Sequence, residues 1–414
     1  MILKLATKNI FYKPLNTLLS LVLLTSGVGI ISLLILMEQQ IERRFSENIE
    51  GVDLVLGAQG SPLQLILSAV YQMDSPTGNI SYKDAKVWMN HPFAQSAIPL
   101  AFGDSYRGFK ILGTTEEYLH KYDAKLASGR VFSKDLEVVI GAAVAEKTMM
   151  KIGDKFHGVH GDVEGGEVHE NAEYIVTGIA VPTGKVIDNL IVCNIPSVWV
   201  THGDHDHDAT HDHHRDHAHD HDHDHVEADP DQGKEITAVL FKIKNKMAFV
   251  TWPRMIAQNT KMQMASPAVE VNRLFALFGF GIQALKYLAY GIMFISAISI
   301  FIALYNRLKE RKYEYALMRI SGAGRFQMFS LVLIESLILC VSGFILGSLV
   351  GRLALLLISA AADETYKFTL DPFAIVWEKE VLLLLLTIFV GILAALIPAF
   401  KAYKLNISKT LANA

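Results

Sequence analysis

Four long apolar runs alternate with polar stretches along the chain. They cover Leu15–Met37, approximately Leu285–Leu304, Phe329–Ile358 and Val381–Phe400. A helix needs about 20 predominantly apolar residues to cross a bilayer, and each run meets that length. The pattern therefore predicts four transmembrane helices.

Charged residues are sorted around these runs. Lysines precede the first run and follow the fourth, a basic segment separates the second from the third, and the loop between the third and the fourth is acidic. Because cytoplasmic loops retain Lys and Arg, the basic segment and both termini are predicted to face the cytoplasm. The first run is too long for a signal peptide, and no small-x-small cleavage site follows it, so we expect it to remain as an anchor. The predicted location is a bacterial inner (plasma) membrane.

These rules divide the chain into nine segments. They are a cytoplasmic interfacial lead-in (1–14), transmembrane helix 1 (15–37), an extracytoplasmic domain (38–270), a stalk with transmembrane helix 2 (271–304), a cytoplasmic segment (305–328), transmembrane helix 3 (329–358), an extracytoplasmic loop (359–380), transmembrane helix 4 (381–400) and a cytoplasmic tail (401–414).

The large domain mixes strand and helix patterns. Ser61 before Pro62, and Ser81 three residues before Asp84, are typical of helix N-termini. The predicted fold class is a membrane α-helical bundle of four transmembrane helices, with a large α+β extracytoplasmic domain between helices 1 and 2. β-Branched and apolar stretches predict strands at Val52–Leu56, Ala94–Phe102, Glu137–Ile140, Tyr174–Gly178 and Leu190–Cys193.

Composition narrows the functional classes. The 414 residues are 51% apolar and carry a net charge of only −4, which argues against a nucleic-acid partner. Cys193 lies in the large domain and Cys340 in an apolar run, so neither a disulfide framework nor a cysteine metal site is expected. The sequence also lacks the G-x-x-x-x-G-K-[ST] loop that binds ATP phosphates.

The basic segment has the pattern of a short amphipathic helix. Leu308, Tyr315 and Leu317–Met318 are predicted to share one face, and the run Ser321–Gly324 is predicted to end the helix. An ordinary positive-inside loop is the alternative interpretation.

The residues of this segment resemble a known family. Glu310, Arg311, Glu314, Ala316, Arg319, Gly322 and Ala323 match the ER…E-x-A…R-x-x-GA pattern of MacB/FtsX-type (type VII) ABC transporter permeases. The stretch with Gly129-Arg130, Phe132, Gly141 and Gly153-Asp154 resembles the periplasmic domain of the same family, and there we expect structural roles in turns.

This resemblance implies a function. The basic segment would be the coupling helix, with Glu310, Arg311, Glu314, Arg319 and Gly322 at the site where a separate ABC ATPase subunit docks. The chain itself would be a non-catalytic permease subunit, without catalytic or cofactor-binding residues, and ATP would act only through the partner. A homodimer or a pair with a similar permease is implied, with room for a periplasmic or outer-membrane partner. The movement of the outer domain would do work on a substrate, for which lipoprotein, peptide, siderophore and metal complex all stay open.

Two alternative functions are kept. One is a regulator of a cell-envelope enzyme, as FtsX is, and binding of a peptidoglycan hydrolase would distinguish it. The other is a metal-sensing membrane protein without an ATPase, which copurification of an ATPase would exclude.

A histidine tract is the feature that the family pattern does not contain. Its eleven imidazoles alternate with aspartates in a stretch without a hydrophobic face, which predicts a flexible loop over 201–226. Imidazole suits Zn²⁺, Ni²⁺ or Cu²⁺, so the tract is predicted to bind such ions at several sites. A tolerated loop insertion without a metal role is the alternative. The predicted ligands are His202, His205, His207, His211, His213, His214, His217, His219, His221, His223 and His225.

Two features lie within the apolar runs. Glu335 falls early in the third run, where an ionisable side chain is costly and normally faces the bundle or a partner; a structural or coupling role is predicted, with a proton path as the alternative. Gly343, Gly347 and Gly351 repeat every four residues. Such a stripe allows close helix contact, either within the subunit or across a dimer.

Overall fold

A computed structural model describes residues 5–7, 9, 14–159, 168–202, 231–366 and 370–405. The chain divides into two compact units. The membrane unit comprises residues 1–43 and 276–414, and the outer unit comprises residues 44–275. The predicted order of a bundle with one large inserted domain is thus confirmed.

Eleven α-helices lie fully within the described residues. They are α1 (Pro14–Ile49), α2 (Pro62–Ala69), α3 (Tyr82–Met89), α4 (Glu116–Lys121), α5 (Ala142–Thr148), α6 (Ile195–His202), α7 (Lys246–Asn259), α8 (Pro267–Glu310), α9 (Lys312–Ile320), α10 (Arg325–Tyr366) and α11 (Trp377–Tyr403). Four of them, α1, α8, α10 and α11, are long and apolar enough to cross a membrane.

Twelve strands are described, all of them in the outer unit. They are β1 (Leu54–Ala58), β2 (Ile80–Ser81), β3 (Ala94–Tyr106), β4 (Phe109–Thr114), β5 (Leu126–Gly129), β6 (Glu137–Ile140), β7 (Lys155–Val159), β8 (Val168–Ala180), β9 (Leu190–Asn194), β10 (Glu235–Ile236), β11 (Ala238–Ile243) and β12 (Met262–Ala265).

Ten of these strands form one mixed sheet, and β2 and β10 form a small second one. The large sheet runs β12-β1-β11-β3-β4-β9-β6-β8-β5, with β7 paired to β3 and β8. The pairs β4–β9 and β6–β8 are parallel, and the others are antiparallel.

The large sheet carries a hydrophobic core on each face. Leu54 and Leu56 of β1 join one core with Trp252 of α7, whereas Val55 between them joins the other core with Leu65 of α2. Successive side chains of a strand point to opposite faces, so a strand buried on both faces needs apolar residues at consecutive positions. Leu54, Val55 and Leu56 have that composition, which is the signal that predicts a strand here.

The helix N-termini predicted from Ser61 and Ser81 are confirmed. The hydroxyl of Ser61 accepts a hydrogen bond from the backbone N–H of Gln64, and that of Ser81 accepts one from Asp84. Pro62 occupies the first helical position of α2, where its missing N–H costs nothing. All five predicted strands are present, but β3 and β8 extend well beyond the predicted bounds, β9 is one residue longer, and β1 is shifted by two residues.

The residues shared with the family's periplasmic domain lie at the ends of strands and helices and in the turns between them. Gly129 has φ +83°, and a Cβ there would come within 2.1 Å of the carbonyl oxygen of Thr177. The next residue, Arg130, forms a two-pronged ion pair with Glu137, at 2.7 Å from Nη1 to Oε2 and 2.5 Å from Nη2 to Oε1. The backbone N–H of Ser133 also donates to Glu137, at 2.8 Å. The structural role expected for this motif is confirmed.

The helices of the membrane unit extend beyond the predicted spans. Helix α8 begins at Pro267, well before the predicted span at Leu285, and α10 continues to Tyr366, past the predicted end at Ile358. The predicted loop 359–380 is therefore partly helical. Its last acidic residue, Glu380, pairs with Arg352 of α10 at 2.6 Å. Apolar composition predicts the part of a helix that lies in a bilayer, but it does not predict where the helix begins or ends. Polar residues on either side can continue the same helix.

The glycine stripe of α10 packs against α1 of the same chain. A Cβ at Gly343 would meet the side chain of Leu24 at 2.5 Å, and one at Gly347 would meet Val28 at 2.7 Å. A Cβ at Gly351 would lie 2.8 Å from the carbonyl oxygen of Gly29. Of the two interpretations, the structure supports packing within the subunit.

Candidate functional site: the α9 segment and its buried polar cluster

The segment between α8 and α10 folds as a separate short helix. Helix α8 ends at Glu310, Arg311 departs from helical geometry with ψ 19°, and α9 follows over Lys312–Ile320. Gly322 then adopts φ +100°, and the N–H of Ala323 bonds the carbonyl of Met318 at 2.9 Å. This is the glycine-dependent helix ending expected from the run Ser321–Gly324.

The faces of α9 differ from the prediction in one respect. Tyr315 and Ala316 are buried, and so is Leu308 at the end of α8. Leu317, however, is 43% exposed, beside Tyr313 at 48% and Ile320 at 59%. The predicted grouping of Leu317 with Leu308 and Tyr315 was wrong, because Leu317 follows Tyr315 by two residues in the same helix, and side chains at i and i+2 of a helix do not share a face.

The exposed residues form an apolar stripe on α9. Tyr313, Leu317 and Ile320 are spaced four and three residues apart, which places them on one side of a helix. We call these three residues the α9 stripe. Its side chains are open to solvent within this chain.

Arg311 is turned into the protein. Its Nε donates to Oε2 of Glu314 at 2.8 Å, and its Nη2 pairs with the same oxygen. Its Nη1 donates to Oδ1 of Asn9, in the lead-in segment. The Arg311 side chain is only 17% exposed, compared with 46% for Glu314. Two of the motif residues therefore bind each other and fix the start of α9.

Asn9 connects this pair to the third long helix. Its Nδ2 donates to Oε1 of Glu335 at 2.6 Å. Nη1 of Arg307 lies 3.8 Å from Oε2 of the same carboxylate, and Nη2 of Arg307 donates to the hydroxyl of Thr17 at 2.5 Å. The side chains of Arg307 and Glu335 are 6% and 3% exposed, so this ion pair is almost completely removed from solvent.

These contacts define a polar cluster of six residues from five segments. Because the cluster joins the lead-in, α1, α8, the α9 segment and α10, displacing α9 would disturb side chains that hold the other four together. Its members are Asn9, Thr17, Arg307, Arg311, Glu314 and Glu335.

Sequence reasoning found part of this cluster. Glu335 was recognised because an acid in an apolar run is costly. The roles of Asn9 and Thr17 were missed, since a single polar residue near a helix end carries no signal of its partner. The contact between Asn9 and Glu335 spans 326 positions, and no local spacing predicts it.

The remaining motif residues lie around the stripe. Glu310 is exposed at the end of α8, and Gly322 is exposed in the turn after α9. Arg319 is half-buried, and its Nε has no hydrogen-bond partner among the described residues. Their contact with a partner subunit stays a prediction.

The predicted metal ligands fall almost entirely outside the described residues. His202 ends α6, with only its backbone described, and the other ten histidines lie in 203–230. The two ends of that stretch are anchored on the outer unit, since the Thr201 hydroxyl lies 3.1 Å from that of Tyr174 and Asp231 pairs with Lys86. Within the described ranges, no three His, Cys, Asp or Glu side chains are grouped so that they could hold a metal ion.

Comparison with known proteins finds a matching family model for each of the two units. The model of the FtsX-like permease C-terminal region matches residues 287–407, and the model of the MacB-like periplasmic core domain matches residues 17–245. An uncharacterized ABC transporter permease of Methanocaldococcus jannaschii is 24% identical over 180 residues, which cover 44% of this chain and 43% of that relative. The aligned part is thus less than half of the relative's length.

Two solved structures resemble the fold at low identity. The periplasmic region of MacB from Actinobacillus actinomycetemcomitans aligns with a TM-score of 0.34 and 10% identity, over 56% of this chain and 97% of that one. The extracellular domain of the noncanonic ABC-type transporter YknZ from Gram-positive bacteria aligns with a TM-score of 0.31 and 10% identity, over 51% and 99%. The family models carry the assignment, and the periplasmic-core model alone covers more than half of the chain. The chain therefore belongs to the MacB/FtsX-like family of ABC transporter permeases, as a multi-pass membrane protein with a large domain between its first two membrane helices.

Proposed function

We propose that the chain is the permease subunit of an ATP-driven transporter, and that α9 docks on a separate ABC ATPase. ATP hydrolysis by that partner moves the membrane helices, and through α1 and α8, which continue along the chain into the outer unit, moves the outer unit. The substrate is handled outside the membrane. The observation that supports this best is the α9 stripe, three exposed apolar side chains on a helix whose Tyr315 and Ala316 are buried in the protein.

The stripe supplies the contact surface. Amphipathic helices bind grooves of other proteins through apolar anchors at positions i, i+4 and i+7, which is the spacing of Tyr313, Leu317 and Ile320. Exposed charges at its border, Lys312 and Glu310, select the partner and speed its association more than they add affinity.

The polar cluster transmits the displacement. Arg311 and Glu314 fix the N-terminal end of α9, and Asn9 carries the contact to Glu335 in α10. A buried ion pair is costly to break, so the Arg307–Glu335 pair keeps α8 and α10 together while α9 is pushed. A force on α9 is thereby passed to α1, α8, α10 and the lead-in.

Assembly with the partner tests this proposal. The full chain, coexpressed with a P-loop ATPase of the same transporter class, should retain that ATPase through affinity purification in mild detergent. With the double variant Leu317→Asp, Ile320→Asp, the amount of copurified ATPase should fall at least tenfold. An apolar anchor that becomes charged would have to be desolvated in the interface without a partner charge. Both side chains are exposed, so membrane insertion should be unchanged.

A matched control separates docking from a general loss of apolar surface. Phe373 is 78% exposed and lies in the loop between α10 and α11. Phe373→Asp should retain the ATPase fully. Equal retention by the α9 double variant would show that the stripe is not the docking surface.

The orientation is part of the proposal. We place α9 and both termini in the cytoplasm and the outer unit outside, because Arg and Lys concentrate in the α9 segment. Cys193 and Cys340 are replaced first, and a single cysteine is then placed at the exposed positions Glu146 or Ser321. An impermeant thiol reagent should label Glu146→Cys from outside and Ser321→Cys only after the inner membrane is opened. The reverse pattern would contradict the topology.

We also propose a link to a transition metal through the histidine tract. Imidazole and carboxylate side chains at short spacing suit Zn²⁺ and similar ions. The tract is tethered to the outer unit at Thr201 and Asp231. Metal would therefore act on the outer unit as regulator or cargo.

A further inference from the structure

An apolar groove of about 680 Å³ lies between α8 and α11 in the membrane unit. Tyr290, Phe294 and Phe301 line it on α8, and Leu386, Val390 and Ala394 line it on α11. None of the described side chains that line it is charged. Phe294 is 66% exposed, so the groove is open at the outer surface of the helix bundle. In a membrane protein this surface faces lipid.

The length of the groove matches one leaflet. From Tyr290 to Phe301 the helix rises about 16 Å, at 1.5 Å per residue. Half of the hydrocarbon core is about 15 Å thick. The groove therefore has the length of one acyl chain, which also spans one leaflet.

One end of the groove is marked by positive charge. One turn beyond Phe301, Nζ of Lys401 lies 3.2 Å from the hydroxyl of Tyr305 and 4.4 Å from the centre of its ring. The exposed Lys309 and Lys312 also act electrostatically on this hydroxyl. Glu310 is the one acid in the run 305–313. The balance at this end is cationic, and the Lys401–Tyr305 pair offers N–H and O–H donors to an anion.

We propose that the groove binds an anionic phospholipid, with one acyl chain along α8 and α11 and the phosphate against Lys401 and Tyr305. Lipid tails are as apolar as the lining side chains, so the groove by itself does not select a lipid. Selection comes from the headgroup, because basic side chains at a membrane surface attract anionic lipids. The site would tie α8 and α11 together in the leaflet on the Lys401 side.

Native mass spectrometry of the full chain in detergent tests the site. The probes are phosphatidylglycerol, which is anionic, and phosphatidylcholine, which is zwitterionic, added at equal concentration. Wild-type protein should keep one phosphatidylglycerol per chain, preferred about fivefold or more, as one basic residue near the headgroup predicts. Lys401→Gln should abolish this preference, and Ala394→Trp, which fills the groove, should abolish retention of both lipids.

Two controls keep the outcome decisive. Lys404→Gln removes an exposed lysine just past the end of α11, and Leu353→Trp enlarges a 53% exposed side chain of α10. Both should bind lipid as the wild type does. Equal lipid retention by all five proteins would overturn the proposal. So would an Ala394→Trp variant that loses its dimer but not its lipid, since the groove would then be filled by a second copy. The result does not depend on the ATPase partner.

Discussion

Nδ2 of Asn9 donates a hydrogen bond to Oε1 of Glu335 over 2.6 Å, and so joins the lead-in segment to α10 across 326 positions of sequence. Oδ1 of the same amide accepts from Arg311. One small side chain thus lies between the buried acid of α10 and the arginine that begins the α9 segment. If α9 receives force from a partner, Asn9 and Glu335 are on its route into the bundle.

Breaking the buried ion pair should destabilise the membrane unit. Glu335→Leu leaves the Arg307 charge buried without its partner, which costs about 3–5 kcal/mol, whereas Arg307→Met with Glu335→Leu should recover much of the loss. Thermal unfolding of the purified protein in detergent measures both, with the exposed Glu42→Gln as control. A double variant no more stable than Glu335→Leu alone would show that the two charges are not coupled.

Enlarging Gly347 should separate α10 from α1. A side chain there would meet Val28 at once, so Gly347→Leu should cost about 1–3 kcal/mol, the usual penalty of overpacking. Among the residues that the structure describes, no atom lies within 4 Å of a Cβ built on Gly291 of α8, so Gly291→Leu is the matched control and should leave the melting temperature unchanged. If Gly347→Leu instead yields stable monomers from a dimer, the stripe is a subunit seam.

The Arg130–Glu137 pair should make stability depend on pH. The Arg130 guanidinium, with the N–H groups of Ser133 and Lys134, holds the pKa of Glu137 well below its usual value. Because this pKa is lower in the folded chain, the unfolded chain binds more protons at acidic pH. The contribution of Glu137 to the free energy of unfolding is therefore complete above about pH 4.5 and is lost as the pH falls further. The melting temperature of Glu137→Gln should lie below that of the wild type at pH 7, and the gap should narrow toward pH 3. A constant gap would contradict the assignment.

The fold could be predicted where the signal is local. The four apolar runs, the capping residues Ser61 and Ser81, and the Gly322 helix ending depend on neighbours in sequence, and the structure confirms them. The strand order could not be read in this way, because β1 pairs with β11 and β12 from the far end of the domain.

The site was predictable only in outline. The motif located α9, but Leu317 was assigned to the wrong face, since it follows the buried Tyr315 by two residues and side chains at i and i+2 of a helix do not share a face. The motif residues Arg311 and Glu314 pair with each other, and the apolar α9 stripe beside them is the exposed feature. The sequence motif suggests that its charged residues contact the partner, but the exposure of each side chain, which the sequence does not give, decides which residues are accessible.

The histidine tract should be removable without unfolding the outer unit. Replacing His202–His225 by a short Gly/Ser linker leaves the anchors at Thr201 and Asp231 in place. The wild-type protein should bind more than one Zn²⁺ per chain in calorimetry, and more weakly below about pH 6 as imidazoles protonate. The deleted form should melt at the same temperature and lose most of this binding. Equal zinc binding by both would show that the ligands lie elsewhere.

The rate of ATP hydrolysis by the partner tests the central claim most directly. The permease and its ATPase are reconstituted in lipid nanodiscs, and phosphate release is compared with that of the ATPase alone. We predict that the wild-type chain changes the rate severalfold, that Leu317→Asp with Ile320→Asp returns it to the value of the free ATPase, and that Asn9→Ala retains the ATPase but loses part of the change. The same rate with the wild type and the α9 double variant, in complexes of equal composition, would contradict coupling through α9.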